Sequence, residues 1–173
     1  MLLVVKVDYK NLDDLLDSVQ SAINNTLENE VFEEVKETEL RHIRTDVYEV
    51  YKPSIYERRY SREGMLDANN IVILDDNGNN SVTNGNLSVV NVTPPNPYAR
   101  DGATTSKDLP ELIEYGDENY LDKYPFATGY DYPGEPYGLP RPFTANTIDE
   151  LQTTKAHIVA LKKGLLSKGF DID

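Results

Sequence analysis

Between Leu12 and Val50 the apolar residues recur at gaps of three and four. Leu12, Leu15, Leu16, Val19, Ala22, Ile23, Leu27, Val31 and Val35 follow that spacing, and Leu40, Ile43, Val47 and Val50 continue it. At about 3.6 residues per turn such gaps gather into one helix face, whereas a strand would scatter them over both faces. Asn11 is suited to cap the helix, and Asp13 and Asp14 in its first turn suit the positive end of the helix dipole. Two readings stand: one long helix, or two helices broken near Asn24–Glu30. Either ends before Pro53, because a proline ring clashes with the preceding turn and lacks the N–H that a helix needs. The opposite face carries Glu28, Glu30, Glu33, Glu34, Glu37 and Glu39 and reads as a solvated surface.

The remainder divides by composition. Leu2–Val7 reads as a short strand. Ala68–Leu74 and Leu87–Val92 read as an antiparallel pair around Asp75-Asp76-Asn77-Gly78, since Asn-Gly favours a hairpin turn. Nine of the ten prolines fall between Thr93 and Pro142, with five glycines and seven tyrosines. A loop of that length is uncommon inside a compact domain unless it is functional or ordered by a partner. Within it Leu109–Tyr115 is a short helix or an edge strand. The tyrosines and prolines of Tyr130–Gly138 suit an extended arm with amphipathic contact area. Thr147 and Glu150 have the spacing of a capping box, which would open a last helix with a stripe of Ile148, Leu151, Ile158, Leu161 and Leu165. Lys162, Lys163 and Lys168 fall in its final turns, and Gly169 is a plausible stop. The expected fold is α+β. An N-terminal helical region and a C-terminal helix pack on a small antiparallel sheet, in a single domain over residues 1–173. Residues 93–142 form a loop or arm inserted before the last helix.

Chemistry-bearing patterns are few. Thirty acidic residues against seventeen basic ones give a net charge of −13. A chain so charged repels duplex DNA, whose binding rests on lysines and arginines that neutralise phosphates. The absence of cysteine excludes disulfides and thiolate metal sites. Only two histidines occur, His42 and His157, far apart and both within helical pattern. An EF-hand fails at Ile73–Asn84, since its first and twelfth positions should both be acidic. Gly64, Gly78 and Gly85 are isolated turn glycines and build no phosphate loop. The opening apolar run is broken by Lys6 and Asp8, unlike a secretion signal, so the sequons at Asn24, Asn79, Asn86 and Asn91 carry no meaning. No stretch reaches the roughly 18 apolar residues of a membrane span. The expectation is a protein that is not an enzyme, with no cofactor, no metal and no membrane partner.

One segment stands apart. Val47–Ile73 holds Tyr48, Tyr51, Tyr56 and Tyr60 together with Arg58, Arg59 and Arg62, three of the seven arginines in the chain. A tyrosine nucleophile acting on DNA would need a basic surface, which this chain lacks. Tyrosine and arginine are also the side chains that concentrate binding energy between proteins. The arginines could meet the glutamate face of a neighbouring copy, or cover acids within their own subunit. The candidate subunit interface comprises Tyr56, Arg58, Arg59, Tyr60, Arg62, Tyr130, Tyr132, Tyr137, Arg141 and Phe143.

The order of these parts carries a resemblance. An amphipathic helical region leads into KPSIYERRYSREGMLDANNI, then a hairpin, then the EYG of Leu112–Gly116, then the PF step of RPFTANTIDEL. This resembles the neck and tail-completion, or head–tail joining, proteins of tailed bacteriophages. The tyrosine–arginine insert is longer than the family's usual approach to its strand and looks like variants from phages of Gram-positive hosts. The resemblance implies an α+β subunit that forms a ring with its own copies, a hexamer, in the neck or tail of the virion. It implies assembly in the host cytoplasm, with a head-closure or connector protein on one side and a tail terminator or tail tube protein on the other. Genomic DNA would pass through the lumen without specific binding. The alternatives are a tail terminator that caps the tail tube, or a soluble protein-binding module.

Overall fold

The computed structural model describes residues 10–50, 64–74, 81, 82, 85, 87–93, 109–116, 140–170 and 172. The Leu2–Val7 strand, the Asp75–Gly78 turn, and most of the Tyr/Arg and Pro/Tyr segments lie outside them.

The helical pattern of the first fifty residues forms one unbroken path. It comprises α1 (Leu12–Thr26), a π-helical turn (Leu27–Val31), α2 (Phe32–His42) and a second π-helical turn (Ile43–Glu49). Asn11 caps α1 as its sequence suggests, its side-chain oxygen accepting the Asp14 N–H at 2.8 Å. The continuous reading of the two holds, and the first π turn occupies the stretch where the other placed a break. Side-chain donors on carbonyls supply a reason. Thr26 Oγ1 donates to the Ala22 carbonyl, Asn29 Nδ2 to Asn25, and Thr45 Oγ1 to Arg41 and His42. Each engages a carbonyl three or four residues back, the kind of side-chain competition that loosens and bends a helix. The extra residue shifts the register of the apolar stripe. Val31, Ile43 and Val47 are buried while Leu12 and Leu16, on the same nominal face, are exposed.

The two strands pair antiparallel and are shorter than their apolar runs: β1 is Ile71–Ile73 and β2 is Val89–Asn91. Leu74 N–H donates to the Ser88 carbonyl and Val92 N–H to Asn70, bracketing the pairing. Ile71 and Ile73 are buried, as the alternation of a strand requires. Among the described residues three further helices follow: α3 (Leu109–Tyr115), α4 (Phe143–Thr154) and α5 (Ala156–Ser167). The fold is α+β.

The last helix departs from expectation twice. It begins at Phe143, four residues before the supposed capping box. Thr147 is buried, its hydroxyl donating to the Phe143 carbonyl, and Glu150 points elsewhere. It is also divided, because Lys155 takes the left-handed conformation (φ 59°) between α4 and α5. Gly169 (φ 89°) does end α5, with Gly169 N–H donating to Leu166 and Phe170 N–H to Leu165.

Two compact units share the chain. The first draws on Met1–Lys36, Ile73–Val90 and Leu151–Asp173, the second on Glu37–Val72 and Asn91–Glu150. In the first, α5 packs on α1 and the first π turn, with Thr26, Val31, Val82 and Leu165 buried. Glu28 accepts the Val82 N–H and Asn24 the Gly85 N–H, which tethers the connection between the strands to the helix. In the second, Ile43, Met65, Ile71 and Phe143 form the interior.

Candidate functional site

The second unit contains a polar cluster built around the start of α4. A helix start leaves backbone N–H groups without partners. Here they are met by Glu114, near the end of α3. Its Oε2 accepts the Thr144 N–H at 2.8 Å and its Oε1 accepts the Ala145 N–H at 3.1 Å. A carboxylate at that position is favoured by the helix dipole and by charge-assisted bonding. The Arg141 N–H donates to the Ile113 carbonyl at 2.8 Å, and Gly116 (φ 73°) turns the chain away after Tyr115. The EYG and PF elements are therefore two halves of one joint, with the glutamate of the first capping the helix opened by the second.

Glu39 of α2 is buried, as is Glu114. Burial first, and repulsion by the Glu114 carboxylate second, push Glu39 up to about 7. Below that pH it is a neutral acid within the interior.

A second set of contacts ties the end of α2 and the following π turn to α4. Arg41 Nη1 lies 2.6 Å from Glu150 Oε2, and His42 Nε2 lies 3.0 Å from the same oxygen. His42 Nδ1 lies 3.0 Å from Asp46 Oδ2, which also accepts Asn146 Nδ2 at 2.9 Å. Thr45 Oγ1 donates to Asp46 Oδ1 at 2.7 Å. Burial works to raise Asp46, but bonds from Asn146, Thr45 and His42 outweigh it and hold the carboxyl below its usual range. The Arg41 bond, assisted by His42 against partial desolvation, likewise lowers Glu150. Both ring nitrogens of His42 thus face carboxylates. The arrangement is that of a clamp, in which one imidazole ring bridges two carboxylates, Asp46 and Glu150.

An open groove of about 710 Å³ belongs to the first unit, between Glu30 and Glu34 on one side and Ala156, Val159, Ala160, Lys163 and Gly164 of α5 on the other, so that Val159 and Lys163 stand at its edge. Glu30 Oε1 pairs with Lys168 at 3.0 Å, while its Oε2 is buried with no hydrogen-bond partner. Burial opposes ionisation of Glu30, and the Lys168 bond outweighs it, so the carboxyl sits below its ordinary value. Among the described residues no group of three His, Cys, Asp or Glu side chains could hold a metal ion, and no helix is long and apolar enough to cross a membrane.

Of the ten residues expected at a subunit interface, Tyr56, Arg58, Arg59, Tyr60, Arg62, Tyr130, Tyr132 and Tyr137 lie outside the described residues. Arg141 and Phe143 both belong to the joint at α4. Phe143 is 1% exposed, so its ring is part of the interior and offers no surface to a neighbour. Arg141 is half-buried. Sequence reasoning did not find Glu39, Glu114 or the His42 clamp. The one sequence signal for this cap is the glutamate two residues before a helix-ending glycine, and the Thr147–Glu150 spacing imitates a nearer cap.

The sequence model of the YomN family matches residues 11–167. The SPbeta prophage-derived uncharacterized protein YomN of Bacillus subtilis (strain 168) is 33% identical over 132 residues, covering 76% of this chain and 73% of that protein. No solved structure matches. The family match takes in both π turns, the sheet, the Glu114 joint and α5, and on that match the chain belongs to the YomN family.

Proposed function

We propose that this protein is a non-enzymatic structural subunit of the head–tail connection of a tailed bacteriophage, forming a neck or tail-completion ring. The observation that carries the reading is its kinship, over most of its length, with a protein named as derived from the SPbeta prophage. That kinship supports a phage origin. The finer placement is supported by the order of elements that resembles head–tail joining proteins, now with a physical meaning for two of them. EYG and PF make a part-buried joint between α3 and α4. The His42 clamp supports the same reading, since it ties the end of α2 to α4 with both ring nitrogens engaged within it.

In this reading the ring contacts a head-closure or connector protein on one side and a tail terminator or tail tube protein on the other. The charge of −13 then keeps the lumen from adhering to passing DNA. Arg58 and Arg59 contact protein and not nucleic acid. The test is a phage in which the gene is inactivated. Filled heads and separate tails of normal length are expected, and the protein should localise to the neck when supplied in trans. Joined, infectious particles without it would overturn the reading, as would its absence from purified virions. Overlong or frayed tails would move it to the tail terminator. An Arg58→Ala/Arg59→Ala chain should complement poorly; a defect confined to DNA binding contradicts the role given to those arginines.

A further inference from the structure

The first unit presents two helix faces that each expose an apolar pair and are opposite in charge. On α1, Leu12 is 67% exposed and Leu16 is 55% exposed. They stand one turn apart on one face, each followed by an exposed aspartate, Asp13 and Asp17. No basic residue occurs in α1. On α5, Val159 is 62% and Leu166 51% exposed, two turns apart on one face, with exposed Lys162 and Lys163 between them. No acidic residue occurs anywhere from Lys155 to Phe170, in a chain whose net charge is −13. Neither Lys162 nor Lys163 makes an ion pair among the described residues, whereas Lys168, on the inner side, is taken by Glu30. A single exposed leucine needs no explanation. Same-face apolar pairs flanked by one sign of charge, with the opposite sign on the other helix, make a complementary pair of surfaces.

We propose that copies of this chain associate head to tail, the Val159–Leu166 face of α5 in one copy seated on the Leu12–Leu16 face of α1 in the next. The apolar residues form the centre of the contact, and Lys162 and Lys163 meet Asp13 and Asp17 at its rim. Because the two faces are different patches of one copy, the contact is heterologous. It repeats around a ring or along a line instead of closing as a dimer. The occupant is a second copy because the chain itself carries the matching surface. The apolar pairs span one turn on α1 and two on α5, roughly 6 Å and 11 Å, which places the contact at the small end of protein interfaces. Association is accordingly concentration-dependent. The ring geometry rests on the head–tail reading; the contact does not.

The test is sedimentation of the full chain from about 10 μM to 500 μM in low salt, with charge swaps at each face. The wild-type chain should pass from monomer to species larger than a dimer. Lys162→Glu/Lys163→Glu alone should weaken association at least tenfold, as should Asp13→Lys/Asp17→Lys alone, because each sets like charges against one another. An equimolar mixture of the two variants should restore assembly, since every contact between unlike copies is again complementary. Circular dichroism checks that each variant is folded. Leu166→Gln, an exposed change that leaves the core intact, should weaken association as well and reads the contact if a charge variant fails to fold. A wild-type chain that stays monomeric across the range overturns the proposal. So does a discrete dimer, a mixture that fails to reassemble, or a DNA duplex held by Lys162 and Lys163 in place of a second copy. Rings indifferent to these substitutions would remove this contact and leave the head–tail reading intact. Assembly as described, in a phage whose particles join without the protein, would do the reverse.

Discussion

Glu39 sits where a carboxylate is hard to keep ionised, buried and with the Glu114 carboxylate as a neighbour. Its folded pKa of about 7 lies above the ordinary 4.5, so the direction of the linkage is fixed. Its contribution to stability is fully present below pH 4.5 and is lost as pH rises through 7, because the unfolded chain ionises the group first. The full loss is of the order of 3 kcal/mol for a separation of that size. Glu39→Gln removes the ionisation and keeps the volume. Urea denaturation should find the variant equal to wild type near pH 4 and more stable above pH 7, by up to about that amount. A difference independent of pH would refute the assignment. Glu114 serves the fold as a hydrogen-bond acceptor. Glu114→Ala strips two N–H groups at the start of α4 of their acceptor and should destabilise by about 2 kcal/mol at neutral pH. Glu114→Gln retains an acceptor and should cost less. It also removes the repulsion, so the titration of Glu39 should move to lower pH when followed by carboxyl NMR.

At the scale of elements, the close approach of α5 to α1 depends on Gly164. A β-carbon there would stand closer to Thr26 Cγ2 than two carbons can approach, and 3.1 Å from Glu30 Cδ. Thr26 cannot swing aside easily, being fully buried with its hydroxyl bonded to the Ala22 carbonyl at 2.8 Å. Gly164→Ala gains about 1 kcal/mol of helix propensity but incurs overpacking of 1–3 kcal/mol. The overpacking should win, lowering the melting temperature, and Thr26→Ser beside it should restore most of the loss. The helices themselves are legible in the sequence. Apolar spacing marks α1 and α2, Asn11 and Gly169 mark true ends, and apolar runs mark both strands. The π turns are not legible, because they depend on which carbonyls Thr26, Asn29 and Thr45 reach once a helix exists. Lys155 gave no warning of the break between α4 and α5, since a left-handed lysine costs about 1–2 kcal/mol that only surrounding structure can offset. The cap on α4 comes from Glu114, 29 positions before Phe143 in the sequence. A local rule could find only the Thr147–Glu150 imitation.

For the whole molecule these groups combine with net charge to set where the fold is most stable. Asp46, Glu30 and Glu150 all have lowered pKa values, so their contributions are present above the ordinary carboxylate range and are lost as pH falls through the depressed values. Glu39 acts from the other side, withdrawing stability between 4.5 and about 7. Self-repulsion adds to that side, because the sequence pI is about 4.5 and the charge reaches −13 at pH 7. The two limbs meet at about pH 5, at the acid end of the usual range for proteins. The denaturation midpoint should therefore peak near pH 5 and fall towards pH 8. At pH 8, raising salt from about 20 mM to 200 mM shortens the screening length to below 10 Å and should recover part of the fall. The same salt step at pH 5 should change little. Glu39→Gln should remove the buried component of the fall and leave the salt-sensitive component in place. A midpoint that peaks at pH 7.5, or a fall that salt abolishes entirely, would mean that the buried Glu39–Glu114 pair does not govern the alkaline limb.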